Sequence, residues 1–285
     1  MGSVARAQGL SNETTHRMSH DAQQESLAHA MDTAVAAARR AGAILREQTK
    51  SGFGIERKTS IVNLVTDADR AAEQAIVDHL LATFPTHGVL AEERGQQVRG
   101  ESDCQWIIDP LDGTTNFAHG FPFYSISIAL EQRGTCLLGV VLDPIRDELF
   151  TATAGQGAQF NGRMIRVSSV AALDDALLAT GFAYDIREVA DNNLDHFSRF
   201  ALRAQGIRRT GSAALDLCYV AAGRLDGYWE VKLSPWDSAA GSVILTEAGG
   251  RITHFDGSSY SIYGKDLVAS NGPLHQPMLD VLAKR

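Results

Sequence analysis

Apolar residues recur at helical spacing through Leu27, Met31, Val35, Ala38, Ala41 and Leu45, which predicts one long amphipathic helix over residues 22–48. A second stripe, Ala72, Ile76, Leu80 and Phe84, predicts a helix over residues 69–84 that Pro85 ends. Residues 61–65 read as a strand edge. Val89-Leu90-Ala91 is a short apolar run that stops at Glu92-Glu93, and Trp106-Ile107-Ile108 reads as a buried strand ending at Asp109. The period then changes to two: Tyr124, Ile126, Ile128 and Leu130 alternate with small or polar residues. Residues 137–142 and 149–153 continue the strands around a turn at Asp143-Pro144, and Asn161-Gly162 marks a hairpin. This stretch predicts a mainly antiparallel sheet with helices on one side. Beyond about residue 170, α and β patterns mix. Residues 212–222 predict a helix capped by Ser212, with Gly223 past its end. Residues 228–231 predict a strand, and 237–248 a helix closed by Gly249-Gly250. The chain divides into halves, 21–168 and 169–285, that form one compact α+β unit. Residues 1–20 are expected to form a disordered tail, and the first 17 are polar, with no apolar stretch of the kind a secretory signal needs.

The acidic residues change this picture. Asp109-Pro110-Leu111-Asp112-Gly113-Thr114-Thr115-Asn116-Phe117 sets two carboxylates at the mouth of a strand, followed by a turn and a helix start. Carboxylates hold hard cations such as Mg²⁺. N–H groups at a helix start, here those of Gly113 and Thr114, hold phosphate. Alone, Asp112-Gly113-Thr114 reads as a turn and a cap. Glu92-Glu93 alone reads as a solvated pair, Asp67 and Asp69 as acids favouring a helix's positive end, and Asp237 as a cap. Acids at strand or helix ends in four separate segments point instead to one convergent site.

The net charge of −8 argues against a nucleic-acid footprint, while bound cations would still admit an anionic substrate. Cys104, Cys136 and Cys218 form no close pair, which fits a reducing compartment. No stretch reaches transmembrane length, so no membrane partner is expected and the cytoplasm is the expected location.

Two of these segments resemble signatures of the inositol monophosphatase family of Mg²⁺-dependent, Li⁺-sensitive phosphatases. One is Asp109 to Phe117. The other runs from Trp236-Asp237-Ser238-Ala239-Ala240-Gly241 through Glu247-Ala248-Gly249-Gly250. Thr66-Asp67-Ala68-Asp69, Glu92-Glu93, Gly211-Ser212-Ala213 and Trp229-Glu230 follow the family order, and the resemblance spans about residues 25–275. Many members have Gly before the Glu pair, where this chain has Ala91. The resemblance implies an αβαβα layered sandwich and a homodimer. It implies Mg²⁺ held by Glu92, Asp109, the Leu111 carbonyl, Asp112 and Asp237. Two ions are implied, with a third, weaker one near Glu92. Asp69 and Thr114 are implied to orient and deprotonate the attacking water, with Glu92 at the same centre. Gly113 and Thr114, beside Asp112, are implied to hold phosphate. Ser212, Ala213 and Glu230 are implied to face the alcohol, and Lys58 aligns with a family lysine near the metal loop. The implied reaction is in-line attack by a metal-bound water on a small phosphate monoester. Inositol 1-phosphate is the first choice, with histidinol phosphate and fructose 1,6-bisphosphate open. The short interval from Glu93 to Asp109 counts against a nucleotide 3′-phosphatase. A regulatory relative that binds a protein is the alternative of another class.

Overall fold

The first apolar stripe lies on helix α1 (Val4–Ser51), where Ala30, Ala34, Ala37, Ala38, Ala41 and Leu45 are buried. The computed structural model describes residues 4–51, 54–57, 64–94, 100–190 and 192–283. Residues 4–20, expected to be disordered, have helical backbone. The segment contains no proline, and propagating a helix costs far less than nucleating one. Strands β1 (Ile55–Arg57) and β2 (Leu64–Thr66) form a two-stranded antiparallel ribbon. The predicted strand residues 61–63, and Lys58, lie outside the described residues. Helix α2 (Asp67–Thr83) starts two residues earlier than its pattern predicts, because Thr66 caps it.

The larger sheet follows: β3 (Gly88–Ala91), β4 (Cys104–Asp112), then the short helix α3 (Thr114–Ala118), β5 (Ser125–Gln132), β6 (Thr135–Asp143), β7 (Glu148–Thr153), β8 (Ala158–Phe160) and β9 (Arg163–Met164). These seven strands lie in chain order, with β3 parallel to β4 and every other pair antiparallel. The rest of the chain supplies β10 (Leu177–Thr180), α4 (Leu194–Ala201), β11 (Gly206–Arg208), α5 (Ala213–Ala221), β12 (Gly227–Val231), α6 (Pro235–Glu247), β13 (Arg251–Thr253), β14 (Asp266–Ser270) and α7 (His275–Leu282). Its five strands are ordered β11-β10-β12-β14-β13, with β10 parallel to both of its neighbours.

Helices α1 and α2 cover one face of the seven-stranded sheet, and α5 and α6 lie between the two sheets. Helices α4 and α7 cover the outer face of the five-stranded sheet. The order is therefore αβαβα. The alternation in β5 suggested helices on one side only, and both faces are covered. Ile126, Ile128 and Leu130 point into the α1–α2 core, while Ala129 belongs to the α5–α6 core and Ser127 donates to the Trp236 carbonyl at 3.2 Å. These residues look like a solvent face in sequence because they are small, and smallness is what lets α6 lie close. Gly139 on β6 makes the same point: a Cβ there would sit 2.4 Å from the Ala240 carbonyl oxygen. Backbone cannot yield as a side-chain tip can. Gly139→Ala is expected to lower stability by about 3 kcal/mol, read by urea unfolding. A change under about 0.5 kcal/mol would show that α6 is not seated by this contact.

Candidate active site

Strand β4 does not stop at Asp109 as its apolar run suggests. It continues to Asp112 through a bulge: Asp109 pairs with Ser127 and Asp112 with Ser125, so β4 advances by three residues where β5 advances by two. In a regular strand, residues three apart point to opposite faces. The extra residue brings Asp109 and Asp112 to one cavity, which both line. Pro110 lies within the bulge, where a missing N–H breaks no regular ladder. Gly113 then turns the chain into α3 at φ +102°, a left-handed conformation in which any other residue would be strained.

Glu92, Asp109, Leu111, Asp112, Gly113, Thr114, Ser212, Ala213, Glu230 and Asp237 all line this cavity. Asp109 Oδ1 accepts the Leu111 N–H at 2.9 Å. Asp237 Oδ2 accepts the Ser234 N–H at 2.6 Å, the N-cap of α6, so Ser234 rather than Asp237 is the cap. Among the described residues, Asp109 Oδ2 and Asp237 Oδ1 accept no hydrogen bond. Asp112 is tied to the start of α5: its Oδ2 accepts from Ser212 Oγ at 2.6 Å and the Ala214 N–H at 2.8 Å, and its Oδ1 from the Ala213 N–H at 3.3 Å. The Ala213 N–H, expected to face substrate, is thus turned toward Asp112.

Asp69 does not line the cavity. It is fully buried behind Thr114, whose Oγ1 donates to Asp69 Oδ1 or to the Leu111 carbonyl, each at 3.1 Å. Asp69 Oδ2 accepts the Thr66 N–H at 2.8 Å and the Thr66 hydroxyl. Burial raises the Asp69 carboxyl above its ordinary range despite these donors. Burial likewise lifts Asp109 and Asp237 well above theirs, aided by repulsion from Glu92 and Asp112, and pushes Asp112 up to about 6.

A sequence profile of the inositol monophosphatase family matches residues 26–284. The chain belongs to the inositol monophosphatase family. It is 47% identical over 229 residues to inositol-1-monophosphatase of Synechocystis, covering 80% of each chain. It is 43% identical over 247 residues to Nus factor SuhB of Salmonella typhimurium LT2, covering 86% of this chain and 92% of that one. The solved inositol monophosphatase of Anabaena superposes with a TM-score of 0.82 at 42% identity, over 90% of this chain and 96% of that one.

Inositol monophosphatase family members are generally Mg²⁺-dependent. The donors here fit that ion, since four carboxylates and a backbone carbonyl offer only hard oxygens, and Asp109 and Asp237 each keep one oxygen with no hydrogen-bond donor among the described residues. Among the described residues, no three acidic, His or Cys side chains already enclose an ion-sized point.

Several residues in and around the cavity escaped the sequence reading. Tyr184, Arg209 and Lys232 line the cavity, and the Tyr228 hydroxyl donates to Glu230 Oε2. Tyr228 and Glu230 lie two apart on β12, so strand periodicity could have paired them. Asp216, which also lines the cavity, is a buried acid on α5 whose oxygens both lie 2.7 Å from Thr210 Oγ1. Burial pushes Glu230 from its ordinary 4.5 to about 7, with Tyr228 and Arg209 opposing the rise. Between those values the native state keeps a proton the unfolded chain has lost. Stability contributed by this group is therefore full below about pH 4 and declines as pH climbs to about 7. Glu230→Gln is expected to flatten the metal-free stability profile between pH 4.5 and 8, by an upper figure on the order of 3 kcal/mol. Parallel urea-unfolding profiles for the two proteins would show that Glu230 titrates normally.

Proposed function

We propose that this chain is a Mg²⁺-dependent phosphate monoester hydrolase whose preferred substrate is inositol 1-phosphate. The observation that carries the reading is the convergence of Glu92, Asp109, Asp112 and Asp237 on one cavity beside the Thr114–Asp69 pair. Bound there, Mg²⁺ would neutralise phosphate charge and lower the pKa of water. Glu92, Asp109, the Leu111 carbonyl, Asp112 and Asp237 are the residues that would hold it. The N–H groups of Gly113 and Thr114 hold phosphate oxygens at the start of α3. Thr114 Oγ1 accepts a hydrogen bond from the attacking water and passes a proton to Asp69, whose burial makes it a stronger base than an exposed aspartate. Water oxygen bonds to phosphorus as the ester oxygen leaves with the shared pair and takes up a proton. Glu230 and Ser212 face the alcohol, and a buried carboxylate suits a polyol's hydroxyl groups. The Synechocystis relative's name supports the inositol choice.

The test is phosphate release from inositol 1-phosphate, histidinol phosphate, fructose 1,6-bisphosphate and 3′-phosphoadenosine 5′-phosphate, with Mg²⁺, with chelator and with Li⁺. Mg²⁺-dependent, Li⁺-inhibited turnover, highest on inositol 1-phosphate, is expected. Preference for another ester would replace the substrate, and no release from any would overturn the hydrolase. A second reading, a regulatory protein partner, draws on the relatives named Nus factor SuhB. It would lead if Asp109→Asn abolished phosphate release yet left the cellular role intact. We also propose a homodimer in the cytoplasm, the former read by sedimentation.

A further inference from the structure

The chain leaves β10 at Gly181 and returns to α4 at Asn193. The base of this excursion is firmly tied. Asn193 Nδ2 donates to Thr180 Oγ1 at 2.9 Å and to the Gly181 carbonyl at 2.7 Å, and Trp229 Nε1 donates to Asn193 Oδ1 at 2.8 Å. The outer arm carries Phe182, Ala183 and Tyr184 along the cavity wall. It reaches across to the end of β12 through one ion pair, Lys232 Nζ to Asp185 Oδ2 at 2.6 Å.

The side chains are 35% and 40% exposed, and such a pair is worth little by its charge alone, but two features bear on this one. Lys232 has φ +60°, a left-handed conformation uncommon for a residue with a side chain, and it lines the cavity two residues past Glu230. Asp185 Oδ1 is buried and, among the described residues, has no hydrogen-bond partner. A carboxylate already stripped of water on one oxygen depends on its cation at the other. Without Lys232, the arm would lose its side-chain tie to the end of β12, and Tyr184, next to Asp185, would be freer to move. Tyr184 and Glu230 line the same cavity, and a phenol ring on its wall offers an apolar face and a hydroxyl to a polyol.

We propose that Lys232 and Asp185 are positioning residues that hold Tyr184 at the cavity wall and so favour esters of polyhydroxylated alcohols over esters of small ones. The selectivity rests on the hydrolase reading, while the holding of the arm does not. Lys232→Met, Asp185→Asn, the double variant and the charge-swapped pair K232D/D185K would be assayed on inositol 1-phosphate and on methyl phosphate. Amide hydrogen exchange over residues 182–190 would be followed in the same proteins.

Each single variant is expected to raise KM for inositol 1-phosphate at least about fivefold with kcat within about twofold, the double to be no worse than either single, and the swap to recover part of the loss. KM for methyl phosphate is expected to stay constant, and exchange over 182–190 to quicken in both single variants. Additive single effects, an equal rise in KM for methyl phosphate, or no rescue by the swap would overturn the selectivity. Unchanged exchange would overturn the holding of the arm. If the wild-type protein released no phosphate from any ester, the hydrolase reading and the selectivity would fall together, and exchange would still decide whether the pair holds the arm.

Discussion

Asp109→Asn is expected to lower kcat on the preferred ester by roughly a thousandfold or more, several kcal/mol of barrier. Asp109 is held in a crowded acidic cavity: it is 2% exposed, and Glu92, Asp112 and Asp237 all repel its charge. An amide keeps the size and loses the charge that a dication would balance. The same substitution is expected to raise the melting temperature of the metal-free protein, because one of four mutually repelling carboxylates is gone. Mg²⁺ should then stabilise the variant far less than the wild type, read by calorimetric titration and thermal unfolding without reference to turnover. Retention of more than about a tenth of wild-type turnover would remove Asp109 from the centre of the proposal.

The second large effect is expected at Asp69. Asp69→Asn should reduce kcat/KM by about 10²–10⁴-fold, the range for loss of a positioned base. The base must be ionised to accept a proton, so wild-type rates are expected to fall as pH drops through a value raised above the ordinary aspartate range by burial. That acid limb should vanish in Asp69→Asn. Thr114→Val should cost a similar factor, and the double variant little more, since the two act as one relay. Fully additive losses would mean that Thr114 and Asp69 serve separate purposes.

How far this was legible in sequence depends on what each residue's role draws on. The helical stripe ending at Leu45 and the alternation from Tyr124 to Leu130 are local patterns of burial, and both sit where the patterns place them. The carboxylates of Asp69 and Asp237 were also legible, yet their bland and functional readings were posed as rivals. The structure gives each acid a local role: each sits at the third position of its helix, with one oxygen on the N-cap N–H of Thr66 or Ser234. For Asp69 the other oxygen faces Thr114, and for Asp237 the residue lines the cavity. Capping and the proposed chemistry therefore share a side chain. Tyr184, Arg209 and Lys232 carried no such mark. They reach the cavity through a long excursion, a strand end and a left-handed turn, which depend on tertiary placement rather than on any period along the chain.

The extra residue in β4 has a consequence for how such a chain can change over generations. Surface loops tolerate insertions because the added length can be absorbed as slack. Between Asp109 and Asp112 there is no slack to absorb it. Removing one residue would restore strict alternation and send Asp112 through the sheet to the far side, away from Ser212 and the start of α5. Length in this segment behaves as a parity bit: a single-codon deletion switches a carboxylate from one side of the sheet to the other, with no graded intermediate for selection to refine.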